Sequence, residues 1–442
     1  MGRYNEKWTI EKSSRGYDPL LPVSFLYYIL FFLFFNYHFM GTTMFYREHL
    51  YVYSEIFKLW YNRLTDVVVY LAVFTVIFLI KDWRMKLYAA AMIIVTLLHD
   101  YNREVIDYKA TTVFLMLIIC SARKSYKVIG IISLISGWIW IIASYIGVRT
   151  GNLTDIIYDH GTRHAFGSIY ATDLMCHVLT LTMVYLILRK GVLKIPEYLM
   201  IALLTVINIL FVKAKIGLLC TMILVAVTVY CQYVRPKKLG SEMLKRNIKR
   251  FFVVSSVIFA AIMFYFTYTY TWDPSAFYNK YEFLKTIKLR FRYGNRAVTE
   301  NPITMWGVYI RENGNGGVAD GTVTDYFFID ISYVKILLKE GMSIFLVGMS
   351  LFIATSVKLM KKKQFYVMFI VTVFALDCAV EHHMLQTCYS LFFFPLFCDL
   401  EKPGTYASEQ ESEEQSFTFG SGSGAMKAPK HSYALSSEGA AG

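Results

Sequence analysis

The sequence predicts an all-α polytopic membrane protein with about 12 transmembrane helices, both termini in the cytoplasm and one large extracytoplasmic loop late in the chain. Three observations carry this. Hydrophobic residues make up 56% and charged residues 17%, against about 45–50% and about 25% in soluble domains. The apolar residues fall in blocks near the roughly 20 that a bilayer core requires, where a transmembrane β-barrel would show short alternating segments. Lysine and arginine collect in short loops on alternate sides of those blocks.

The expected spans are 22–40, 63–80, 86–99, 107–122, 127–147, 169–188, 196–212, 215–234, 251–271, 332–357, 364–380 and 384–398. The first block reads as a span rather than a cleaved leader, because no small-residue cleavage site follows it. Basic clusters at Lys81, Arg84 and Lys86, at Arg123, Lys124 and Lys127, along 235–250 and at Lys358 to Lys363 mark one side as cytoplasmic. Residues 1–21 form a cytoplasmic N-terminal segment, 22–272 the first nine spans, 273–331 the large outer loop and 332–400 the last three spans. The tail 401–442 turns acidic, then rich in Gly, Ser and Ala, and reads as disordered. Its Gly-Ser-Gly-Ser-Gly run at 420–424 is the kind used as an added linker.

The formal charge of +13 sits largely in topology-setting loops, so it does not point to nucleic acid. The seven cysteines lie in or beside apolar segments without metal-type spacing and read as small core hydrophobes. No metal or cofactor is expected.

Ionisable residues within the spans gather toward the outer ends. Asp173 and His177 fall near the start of one span, Asp377 near the end of another, Lys335 and Lys339 in the first turns after the long loop, and Glu381, His382 and His383 at the outer boundary. A transporter or lipid-linked oligosaccharide flippase, the alternative class, would place such groups along a path through the midplane.

Three basic constellations face the same side. They are Arg163-His164, the short turn Lys213-Ala214-Lys215, and Arg290-Phe291-Arg292 with Arg296. Guanidinium groups bind phosphate oxygens bidentately and stay charged at any working pH, while lysine is a compact point charge. Together they could grip a diphosphate and stabilise charge developing on it as it departs. A basic amphipathic helix lying on anionic headgroups would use the same arginines. The long loop offers Glu282, Glu300, Glu312, Asp320, Asp325 and Asp330 as possible bases, and spacing alone selects none among them.

Four stretches give a family resemblance. Arg163-His164-Ala165-Phe166-Gly167, Lys213-Ala214-Lys215-Ile216-Gly217, Arg290 to Asn295 continuing to Pro302-Ile303-Thr304-Met305-Trp306-Gly307, and Ile329-Asp330-Ile331-Ser332-Tyr333 with Leu337-Leu338-Lys339-Glu340-Gly341 follow one another in order. In this the chain resembles the oligosaccharide repeat-unit polymerases (the Wzy type) of the O-antigen polymerase and ligase superfamily. The related ligases carry a histidine late in the outer loop, and 273–331 has none. The resemblance implies a bacterial cytoplasmic membrane enzyme, a metal-independent glycosyltransferase acting at the outer face. It would pass a glycan from undecaprenyl diphosphate to the next lipid-linked repeat unit, building a capsule, exopolysaccharide or O-antigen. It also implies a flippase and a chain-length regulator as pathway partners, alongside membrane lipid. Arg290 is then the main diphosphate ligand, with Lys215 and Arg163 beside it and Lys213, Arg292, Arg296 and His164 in support. Glu300 and Asp325 are candidate bases, and Asp330 a base or an orienter of the returning helix.

Overall fold

The computed structural model describes residues 21–103, 109–158, 161–234, 242–270, 287–316, 318 and 323–400. Much of the basic loop 235–250, the start of the long loop with Glu282, Asp320, and both terminal segments lie outside them. Among the described residues, eight helices are long and apolar enough to cross a membrane by length and composition. They include α1 (Leu21–Met40), α5 (Tyr126–Arg149), α6 (Ala171–Leu188), the span Ile195–Val212 that holds α7 (Ile195–Ile207), and the span Lys215–Tyr233 that holds α8 (Lys215–Val229). Helix α2 (Ser54–Phe74) and α9 (Glu242–Thr269) lie in two more. Helix α3 (Trp83–Asn102) carries charge at both ends, and α4 (Ala110–Cys120) is short because its apolar side chains are buried in protein from Thr112 onward.

Each long helix is sorted by what it faces. On α5, Ile135, Ile139, Ile142 and Ile146 recur at helical spacing and are exposed, as residues facing hydrocarbon should be. Its other face is small. A Cβ on Gly137 would fall 2.7 Å from Leu181 of α6, and one on Gly130 would meet Leu188 at 3.1 Å. Close approach through small residues is how membrane helices gain packing where lipid offers no hydrophobic drive. It leaves α6 enclosed on nearly all sides.

After α9, helix α10 (Lys288–Glu300) buries Phe291, Gly294, Asn295 and Ala297, and Asn295 Nδ2 donates to the Thr267 carbonyl at 3.0 Å. The chain then reaches α11 (Ser332–Lys361), an apolar span with a π-helical turn at Ile336–Glu340 and a break at Gly341. Gly307 and Gly341, both at left-handed φ (86° and 83°), meet backbone to backbone. A Cβ on Gly307 would stand 2.2 Å from the Lys339 carbonyl oxygen. Val308 N–H donates to Leu338, and Met342 and Ser343 N–H donate to Thr304 and Met305. Two of the resembling stretches, 302–307 and 337–341, are thus the two halves of one clamp.

The expected last span, 384–398, is not an α-helix. After α12 (Phe365–Asp377) the chain returns as turns and a 3₁₀ segment, Leu391–Leu396, interrupted by Pro395. It starts beside Arg290 and Ser332 and ends where Asp399 N–H meets the Lys124 carbonyl and Lys358 Nζ reaches the Leu396 carbonyl. Irregular backbone at membrane depth survives only inside protein, and Leu391 to Leu396 are all buried. Proline cannot supply the N–H a continuous helix needs there, and Gln386, Thr387 and Ser390 precede it.

The clamp yields a prediction. Gly307→Ala combines a strained φ with a backbone clash, so it should destabilise the protein by at least the ~1–3 kcal/mol of backbone strain. The thermal midpoint of the purified protein should fall accordingly, and an unchanged midpoint contradicts the clamp.

Candidate functional site

At the end of the bundle where α6 begins, Ile157–Tyr158 and Arg163–His164 pair as a short antiparallel hairpin. Asp155 sets its shape, bonding His164 Nδ1 at 2.7 Å and accepting from Phe166 N–H at 2.8 Å. Neighbouring strand residues point to opposite sides, so Arg163 and His164 line different cavities.

The first cavity, about 430 Å³, is lined by Arg163, Tyr170, Asp173, Arg290, Asp330 and His382 among others. Its volume lies in the range of small-ligand pockets, roughly 300–1,000 Å³. Arg290 is its best-fixed cation. Nε donates to the Val380 carbonyl at 2.7 Å and lies 3.7 Å from Asp330. Nη2 donates to Glu381 Oε1 at 2.7 Å. Phe291, fully buried beside it, anchors that stretch of α10. Arg163 Nε donates to the Val212 carbonyl at 3.2 Å, which ties the hairpin to the turn before α8. Burial pushes the Tyr170 phenol up to about 12, against the Gly316 N–H that donates to it. It therefore stays protonated and able to donate.

The second cavity, about 600 Å³, runs between α5, α6 and α7. Trp138, Ile142, Leu204 and Phe211 make it apolar, while Arg149 and His164 stand in its wall. The two cavities share the wall formed by the hairpin and the first turns of α6.

The structure brings Arg163, Arg290 and Asp330 together and separates the other expected residues. Lys213 and Lys215 are exposed on the turn built by Asn208, whose side chain bonds the N–H and the carbonyl of Ala214, and neither lines the first cavity. Arg292 and Arg296 do not join Arg290, because two and six residues along a helix turn the side chain about 160° and about 120° away from it. Arg296 pairs with Glu300 at 3.0 Å and Asp325 at 3.2 Å, on a separate depression of the surface. Glu300 and Asp325, the two candidate bases, are therefore about half and four-fifths exposed. Glu312 is structural: it binds Lys335 at 3.0 Å, Lys339 at 2.6 Å and the Ile329 N–H at 3.0 Å.

Tyr170, Asp173, Glu381 and His382 join the site without having been assigned to it. Their position toward the outer end is readable in sequence; their convergence is tertiary. Cys176, Glu381 and His383 also place donor atoms within 4.8 Å of one another. Glu381 is already held by Arg290, a fixed positive charge beside that point, so the cluster suits an ion pair better than a metal.

No family model, curated protein or solved structure matches this chain.

Burial alone would raise the Glu312 carboxyl, but Lys335 and Lys339 prevail and hold it below the usual carboxylate range. A depressed folded value gives stabilisation that is present above the unfolded value, about 4.3, and is lost as pH falls through the folded one. Hydrogen-exchange protection of 308–330 should therefore hold at pH 7 and drop below about pH 4.3. In Glu312→Gln it should be reduced already at pH 7, with that acid step gone. A step of equal size in the variant would contradict the assignment.

Proposed function

We propose that this protein polymerises lipid-diphosphate-linked oligosaccharide repeat units at the outer face of a bacterial cytoplasmic membrane, as a metal-independent glycosyltransferase. The observation that carries the reading is the convergence of Arg290 and Arg163 on one cavity, from segments over a hundred residues apart, beside an apolar groove. The cavity suits the diphosphate and first sugars. The groove suits an isoprenoid chain, with the shared hairpin wall carrying the junction.

In this reading an acceptor hydroxyl attacks the anomeric carbon of the donor glycan. The bond from that carbon to the diphosphate oxygen breaks, and the electron pair leaves with the undecaprenyl diphosphate. Arg290 and Arg163 stabilise the charge that builds on the departing group. Tyr170 donates a further hydrogen bond.

The expected topology belongs to the same proposal: 12 traverses, both termini in the cytoplasm, and the site end facing out. Eight long spans, α3, the two short apolar helices α4 and α12, and the irregular return segment supply twelve crossings. A flippase or chain-length regulator would act as a pathway partner. A flippase reading of this chain itself needs a polar path through the bundle, and buried aromatics including Phe392, Phe393 and Phe394 fill its interior.

Complementation of source cells lacking this gene, read as a polysaccharide length ladder on a gel, tests the reading. Arg290→Ala and Arg290→Lys should each lower polymer yield about 10²–10³-fold, the size of one transition-state contact. The lysine variant keeps a charge beside Glu381 and so separates chemistry from folding. Lys215→Ala should stay near the wild type. A full ladder from Arg290→Lys, with the protein expressed at normal level, would refute the assignment.

A further inference from the structure

The transferase reading leaves open which group takes the proton from the attacking hydroxyl. Six carboxylates stand at or near the first cavity, and their partners sort them. Asp330 and Glu381 are held by Arg290 on the leaving-group side. Glu312 is held by two lysines, and Glu300 and Asp325 are outside.

Asp173 differs. It lies in the first turn of α6, 5% exposed, and it lines the cavity. Its ion partner among the described residues is a histidine rather than a fixed cation: His383 Nε2 stands 3.5 Å from Asp173 Oδ1. The other ring nitrogen, Nδ1, is 3.0 Å from Gln386 Oε1. The imidazole is thereby held at Nδ1 and presents Nε2 to the Asp173 carboxylate.

His383 is also fixed face-on. Its ring stacks on Tyr389 at 3.8 Å, Tyr389 stacks on His177 at 4.2 Å, and His177 stacks on Phe39 of α1 at 3.7 Å. His177 Nε2 bonds both the Tyr389 hydroxyl at 2.8 Å and the Thr42 hydroxyl at 2.7 Å. This column joins α1, α6 and the return segment, three elements far apart in sequence. A rigid support of this kind holds a reacting group within the small tolerance that proton transfer needs.

We propose that Asp173 is the general base of the glycosyl transfer, with His383 as its positioning residue, held in place by the stacked ring column. As the acceptor oxygen bonds to the anomeric carbon, its O–H bond breaks and the proton passes to the Asp173 carboxylate. The electron pair of the broken carbon–oxygen bond leaves on the diphosphate. The charged and titratable groups around the cavity and Asp173 include His383, Glu381 and His382 from the turn after α12, Asp377 at the end of α12, Cys388 and Tyr389 of the return segment, Tyr158 and Arg163 of the hairpin, Tyr170 before α6, Arg290 and Tyr293 of α10, Tyr326 and Asp330 before α11, and Cys176 one turn along α6.

The test uses the full chain in nanodiscs and, as probe, the lipid-linked oligosaccharide extracted from source cells that lack the gene. Release of polyprenyl diphosphate is followed. Asp173→Asn should lower kcat about 10²–10⁴-fold, the usual share of a general base, with KM within about threefold. Asp173→Glu should recover at least about tenfold of that loss, which a folding defect would not allow. His383→Gln should lower kcat with KM within about threefold, as loss of a positioning contact rather than of substrate binding would. The double variant should be no slower than Asp173→Asn. The base assignment is overturned if Asp173→Asn keeps its kcat, if its loss appears wholly in KM, or if the double variant falls further. If the wild type releases no diphosphate at all, the transferase reading fails and this assignment with it.

Discussion

The buried contact of Arg290 with Glu381 and the Val380 carbonyl is the constraint on which the rest of this end of the bundle depends. An arginine in such a place is expensive unless its hydrogen bonds are met. Here they are met by the turn after α12, so helix α10 and the irregular return segment must dock together. Once they do, Asp330, Ser332 and the start of α11 follow. Ser332 bonds the Glu381 carbonyl, and its N–H meets the Cys378 carbonyl. The same pairing fixes Arg290, which lines the cavity from the loop side.

Around that contact, the long loop is held by backbone rather than by a core of its own. The Gly307–Gly341 junction locks it to α11, and Glu312 bridges it to two lysines of the same span. Rigid placement of a loop that carries a binding group is what electrostatic stabilisation of a leaving group requires, since donors that must reorganise lose much of their effect. The ring column from Phe39 to His383 gives the opposite wall a matching rigidity.

Most of the spans were readable from apolar blocks, because a bilayer imposes length and composition on each helix separately. The return segment was not. Its composition is as apolar as a helix, and only Pro395 and the polar run at 386–390 hinted that protein, not lipid, would surround it. Arg290 and Arg163 were legible as candidate cations, but proximity in sequence misled about their neighbours. Arg292 and Arg296 leave the cavity through helical phase, and His164 through strand alternation. Asp173 and His383 are separated by more than two hundred residues, and only the packing of α6 against the return segment brings them to 3.5 Å. No local pattern encodes that.

A structure of the full chain in a lipid nanodisc with long-chain polyprenyl diphosphate added would test the central claim most directly. The account predicts diphosphate density between Arg290 and Arg163, with the isoprenoid running past the hairpin into the groove between α5 and α7. Diphosphate density elsewhere on the protein, or none at saturating lipid, would contradict it.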